Sequence, residues 1–223
     1  MGRGLAVGED EVVRFYACKT IENITAQSIS AGYKFATLDL VTLLLNIYHS
    51  TKNEPFKTSA AVTISNISNL NNSIFPTIFE SLTCKQFTLA LADRSNQRVQ
   101  QAFLTMLNVA LTTPYPKLND TLIGEKSFVV ELAGLMEHSS IVIRGKSLLT
   151  FLLLFKMNSA WLALVAEHKF YPILDRLLRD NFKYVQFCLV CLMEGVQELI
   201  PSFLAQIREE FDVLTGGPAN EAS

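Results

Sequence analysis

A short helical phrase recurs three times along the chain at nearly constant spacing. It runs from Ala17 to Thr25, from Ala60 to Ser68 and from Ala102 to Ala110. Ala17 to Ala60 is 43 residues and Ala60 to Ala102 is 42. A fixed period of about 40 residues is the mark of a stacked helical repeat, in which one unit cannot bury its apolar face alone and must lean on its neighbours. This constrains the chain to an elongated all-α architecture before any other feature is considered.

The phrase extends once the alanine is allowed to vary. Ser147 lies 45 residues after Ala102, and Cys188 lies 41 after Ser147. Each of these five anchors is small, and four residues later stands a large apolar side chain: Ile21, Ile64, Met106, Phe151 or Leu192. An i, i+4 pair defines one face of a helix, and a small residue on that face permits close approach of the next helix. Amphipathic stretches fill the intervals, from Leu38 to Tyr48, Ile74 to Leu82, Phe128 to Met136 and Tyr171 to Leu178. Breakers bound them at Asn53 to Pro55, Asn69 to Ser73, Thr113 to Pro116 and Arg179 to Asn181. No run alternates with period two between hairpin turns. The expected fold is an all-α solenoid of about five units over residues 10–212, with a flexible segment at 1–9 and a disordered tail at 213–223.

Composition narrows the function. Apolar residues make up 49% of the chain and charged ones 18%, with mean hydropathy +0.26. That is too apolar for disorder and suits interior repeats, buried on both sides, so a longer array lacking a polar cap is expected. A net charge of −2 offers no concentrated basic face for nucleic acid. The run from Leu148 to Phe155 is about two turns long, short of the ~20 residues that span a membrane, and reads as a core helix. With no apolar leader at the N-terminus the expected location is cytoplasmic. Cys188 and Cys191 form an isolated CxxC inside a helical pattern, without the second ligand pair that zinc needs. His49, His138 and His168 lack metal spacing, and no phosphate-cradling or kinase catalytic motif occurs. No cofactor, metal or catalytic residue is expected.

The units resemble armadillo and HEAT repeats. Ala60 to Ser68 reads like the third-helix pattern of armadillo units, Ala-Ala-x-Ala-Leu-x-Asn-Leu-Ala. Arg14, Lys57 and Arg144, three residues before their anchors, match the basic helix-start position; Val99 and Val185 depart from it, with Arg98 and Lys183 close by. The resemblance implies that Asn23, Asn66 and Asn108 form a ladder lining a concave groove, where a carboxamide can donate to and accept from the backbone of an extended peptide. One turn earlier stand Lys19, Val62 and Leu104, where nuclear-import receptors carry tryptophan; the only tryptophan, Trp161, lies elsewhere, so an import-receptor role is not implied. The fourth and fifth units hold Leu153 and Glu194 in place of the asparagine. The alternative is that each asparagine bonds a carbonyl near its own helix end and fixes the stacking angle. The basic positions likewise read either as a ridge for acidic partners or, given the balance of charges, as a solvated face.

Phe56 to Ile67 and Ile143 to Thr150 are similar to the C-terminal repeat region of the pseudokinase branch of the unc-51-like kinase family, which includes RUNKEL-like plant proteins. That resemblance implies a scaffold behind a kinase-like domain that is not in this chain, with cytoskeletal or kinase-signalling protein partners and links to microtubules, cilia and neuronal development. The competing expectation is a spacer with an empty groove.

Overall fold

The computed structural model describes residues 2–113, 115–167 and 170–215. Among them are thirteen α-helices and no strand. Five are the repeated long ones: α1 (Gly2–Gln27), α4 (Glu54–Leu70), α7 (Gln97–Leu111), α10 (Ile141–Met157) and α13 (Lys183–Thr215). Shorter helices fill the intervals: α2 (Ile29–Gly32), α3 (Leu38–Ser50), α5 (Phe75–Ser81), α6 (Cys84–Ala92), α8 (Pro116–Gly124), α9 (Lys126–Leu135), α11 (Ala160–Glu167) and α12 (Phe170–Leu177).

Each long helix packs on the one before it and the one after it, α1 on α4, α4 on α7, α7 on α10 and α10 on α13. The short helices back them as a second layer: α3 lies on α4, α6 on α7 and α9, α9 on α10, and α12 on α13. The result is the expected all-α solenoid of five units. Local chemistry punctuates it. Asn53 accepts from the Phe56 amide just ahead of Pro55, whose ring suits a first turn, and Asn96 accepts from the Val99 amide. Thr83 and Gln86 close a reciprocal capping box at the start of α6.

The core lies between the layers and is unusually aromatic. Phe87 meets Phe103 edge-on at 5.0 Å, Phe79 links Phe87 to Tyr115, and further on Phe151 meets Phe170 at 4.7 Å. Trp161 is fully buried and gives its indole N–H to Asn119 Oδ1 at 3.0 Å, which satisfies its one polar group. Four anchors sit in the seams as expected: Ala60, Ala102, Ser147 and Cys188 are buried, as are Ile64, Met106, Phe151 and Leu192.

One expectation needs correction. In the first unit Ala17 is exposed and its neighbour Cys18 is the buried small residue, its thiol 3.8 Å from Thr63 Oγ1 on α4. The repeat there is set one residue later than the text suggests. Helix α1 begins at Gly2, within the segment 1–9, and α13 runs to Thr215, within the segment 213–223. Pro114, His168 and residues 216–223 lie outside the described residues.

Helix α13 also relocates the membrane question. Leu148 to Phe155 belongs to α10 and is largely core, whereas Lys183–Glu209 of α13 is long and apolar enough to cross a membrane, with mean hydropathy 1.5 and 22% of that window buried. In this fold its buried stripe of Val185, Cys188, Leu189 and Leu192 faces the solenoid. The opposite face leaves Phe187, Val190 and Met193 at least half exposed.

Candidate docking groove

The side chains that line the seams between long helices follow from helix geometry. Residues six past an anchor lie about 240° round the helix, off the apolar stripe, and so reach the edge of the neighbouring helix. Asn66 does this: its Nδ2 donates to the Glu22 carbonyl and to Thr25 Oγ1, both at 3.3 Å, tying α4 back to α1. Asn108 reaches the other way, donating to the Lys146 carbonyl at 3.4 Å and accepting from Thr150 Oγ1 at 2.6 Å, which ties α7 forward to α10. The carbonyls bonded belong to a neighbouring long helix, not to the asparagine's own helix end. Asn23 is exposed and takes no part, as the one-residue shift of the first unit requires.

The residues one turn earlier diverge. Val62 is half-buried and faces a cavity between α4, α7 and α10. Leu104 is fully buried in α7 and cannot meet a partner: it shares a face with Asn108, four residues on, and that face is closed by packing. Lys19 is held by Glu22, Nζ to Oε1 at 2.7 Å.

Glu22 proves to be the centre of a clasp across three long helices. Its Oε1 takes Lys19 and, at 2.5 Å, Arg98 Nη2 from α7, while Oε2 accepts from Ser59 Oγ of α4 at 2.7 Å. Burial alone favours the protonated acid, but the hydrogen bonds from Lys19 and Ser59 and the charge of Arg98 outweigh it and hold the carboxyl below its usual range. Arg144, the fourth-unit basic residue, is also internal: its Nε lies 2.9 Å from Asp180, its Nη1 donates to the carbonyls of His138 and Ser139, and its guanidinium stacks over Phe182. Lys57 sits over the Tyr48 ring at 5.3 Å. These two are braces at helix starts and form no ridge.

What remains open to a partner is the cavity of about 180 Å³ lined by Val62, Asn66, Asn69, Arg98, Gln101, Thr105 and Lys146, with Ser65 and Ala102 at its floor. Asn69 and Gln101 have no side-chain hydrogen bond to another described residue, so their amides are available to a peptide backbone. Lys146 gives its ammonium to Thr105 Oγ1, and burial lowers its pKa. Asn69, Gln101 and Lys146 escape a periodic reading because the matching positions of other units hold other residues; Arg98, close to the basic helix-start position, is the cavity residue that the pattern touches. A second, apolar cavity of about 670 Å³ lies at the other end, where Phe155, Phe170, Leu174, Val190, Met193 and Ile200 bring α10, α12 and α13 together. Among the described residues no three His, Cys, Asp or Glu side chains are placed to hold a metal.

Comparisons with known proteins fit this geometry. No family model matches the chain. Over 220 residues, 96% of its length, the chain is 30% identical to serine/threonine-protein kinase RUNKEL of Arabidopsis thaliana, of which it covers 16%. It is 24% identical over 214 residues to serine/threonine-protein kinase ULK4 of Mus musculus, matching 92% of the chain and 16% of that protein. The chain therefore spans about a sixth of the length of the curated relatives it matches. The matched parts lie in the C-terminal region of those larger proteins, outside their kinase domains. Among solved structures, computationally designed armadillo repeat proteins for modular peptide recognition superpose with a TM-score of 0.67 at 18% identity, over 83% of this chain and 76% of theirs. A designed armadillo repeat protein in complex with the peptide (KR)4 gives 0.65 at 17%, over the same shares. At such identities the likeness shows the fold alone, an armadillo-type solenoid.

Proposed function

We propose that the chain is a non-catalytic docking module of a larger kinase-like protein, holding extended segments of other proteins across the exposed edges of its long helices. One observation carries the reading: between α4, α7 and α10 the structure leaves an open polar cavity whose Asn69 and Gln101 amides have no partner among the described residues. Unpaired amides in a row of helices suit a strand-like ligand, whose backbone offers a donor and an acceptor at every residue. The peptide-recognising neighbours of the same fold support it. The partners are cytoskeletal or kinase-signalling proteins in the cytoplasm, by the resemblance to unc-51-like pseudokinases, which also motivates a link to microtubules, cilia or neuronal development.

The test is selection of short peptides from a random display library on the 223-residue chain, followed by hydrogen–deuterium exchange of the chain with each selected peptide. Protection concentrated on α4, α7 and α10 is the expected result. Failure to enrich any peptide, or protection confined to α13, would sink the reading. A spacer role is the competing account, and the internal hydrogen bonds of Asn66 and Asn108 favour it for those two residues: they fix helix stacking whether or not a ligand is present.

A further inference from the structure

We infer that the cavity between α4, α7 and α10 is a subsite for an acidic side chain, so that the segments this scaffold docks carry glutamate or aspartate at that position. The inference rests on the docking reading above and specifies its ligand. Two cationic side chains, Arg98 and Lys146, line the cavity, and no carboxylate does. Arg98 gives one nitrogen to Glu22 and keeps the rest of its five-donor fork for another acceptor. Lys146 has one hydrogen bond, to the neutral hydroxyl of Thr105, and no carboxylate partner among the described residues. An ammonium that is partly buried without a counter-ion is held at a cost, and burial accordingly lowers its pKa; an incoming carboxylate would relieve that cost.

Size selects the kind of ligand. At about 180 Å³ the cavity is smaller than the ~300 Å³ at which small-molecule pockets begin, and it accommodates one side chain of a longer chain rather than a whole cofactor. Asn69, which is exposed, and Gln101, half-buried, also line it and can bond the ligand's backbone beside the inserted residue. The polarity is opposite to that required by the (KR)4 peptide of the designed neighbour, so the shared fold does not dictate the ligand's charge; Arg98 and Lys146 do.

The experiment measures fluorescence anisotropy with labelled peptides of about ten residues, which extend over ~33 Å and so cross three or four adjacent helices. One alternates Glu with Ser, one Gln with Ser, one Lys with Ser, and one carries phosphoserine in place of Glu. Wild type, Lys146→Met and Arg98→Ala are compared, with Lys85→Ala on the exposed face of α6 as a control and thermal melts to verify folding. Expected are tightest binding of the Glu peptide, a loss of about tenfold or more in Lys146→Met, and little change for the Gln peptide or for Lys85→Ala. Equal binding of Glu and Gln peptides, an undiminished Glu preference in Lys146→Met, or binding of the phosphoserine peptide alone would overturn the subsite while leaving the docking reading in place. Binding of the Lys peptide alone would do the same. If none of the four peptides binds and the display selection also yields nothing, both readings fall together.

Discussion

The seam between α4 and its neighbours and the seam between α10 and α13 join the same kind of helix by opposite means. Around α4 the contact is threaded with polar bridges: Ser59 and Arg98 on Glu22, Asn66 on the α1 backbone, and Asn96 on Thr58 at 2.7 Å. Between α10 and α13 it is apolar and close. Gly145 leaves room for the Tyr184 ring and Gly195 for the end of Leu152, places where a Cβ would collide. The difference teaches that the small anchor sets the spacing in every unit, while the chemistry around it is free to vary. Periodicity therefore carries the fold, and the departures from periodicity carry the site.

The sharpest way to break this comparison is to overfill matching anchors. Ala60 has no exposed surface and is enclosed by α1 on one side and α7 on the other. Ala60→Leu is expected to cost about 1–3 kcal/mol, read as a lower midpoint in chemical denaturation. Cys188 is equally buried, but α13 has a long-helix neighbour on one side only and can shift outward. Cys188→Leu should then cost less than half as much. Equal losses at the two sites would show that the seams are mechanically alike.

A smaller effect distinguishes the polar seam by its charge. Because Glu22 is held below the usual carboxylate range in the folded chain, its ionised form contributes stability at neutral pH, and that contribution is lost as pH falls through its folded value. Glu22→Gln keeps an acceptor for Ser59 and removes the charge. About 1 kcal/mol is expected at neutral pH, a modest figure because the Arg98 side chain is 54% exposed and its ion pair is screened. The gap between wild type and Glu22→Gln should close towards the bottom of the carboxylate range. A gap unchanged by acid would mean that the clasp acts by packing and not by charge.

How far the sequence made this legible follows the same division. The anchors at Ala60, Ala102, Ser147 and Cys188, and the large residues four later, could be read directly because close packing demands them in every unit. Ala17 was misread because two small residues stand side by side there, and only burial against Thr63 picks out Cys18. Leu104 is not a groove residue because a spacing fixes direction about one helix axis and says nothing of what packs against that side, where Leu104 is fully buried. Of the three asparagines expected to line a groove, Asn66 and Asn108 stand at seams and Asn23 does not; whether a carboxamide faces a neighbour or a ligand depends on what stands opposite, such as Thr150 for Asn108. Arg98, Lys146, Asn69 and Gln101 form a site only through the stacking of three helices, and no linear pattern brings them together.

The smallest expected effect concerns α13. Its buried stripe leaves Phe187 64% exposed, Met193 52% and Val190 50%, beside the apolar cavity lined by Phe170, Leu174 and Ile200. Contiguous apolar surface of this kind promotes association between copies, whereas the polar groove around Arg98 and Lys146 does not. Light scattering over a concentration series should therefore detect weak self-association of the chain. Phe187→Lys with Met193→Lys should move its midpoint to about tenfold higher concentration and leave the melting temperature almost unaltered, since neither side chain belongs to the core. Arg98→Ala should move neither quantity by as much. If the groove variant changed self-association and the α13 variant did not, the division of the molecule into a polar docking face and an apolar end would be the wrong one.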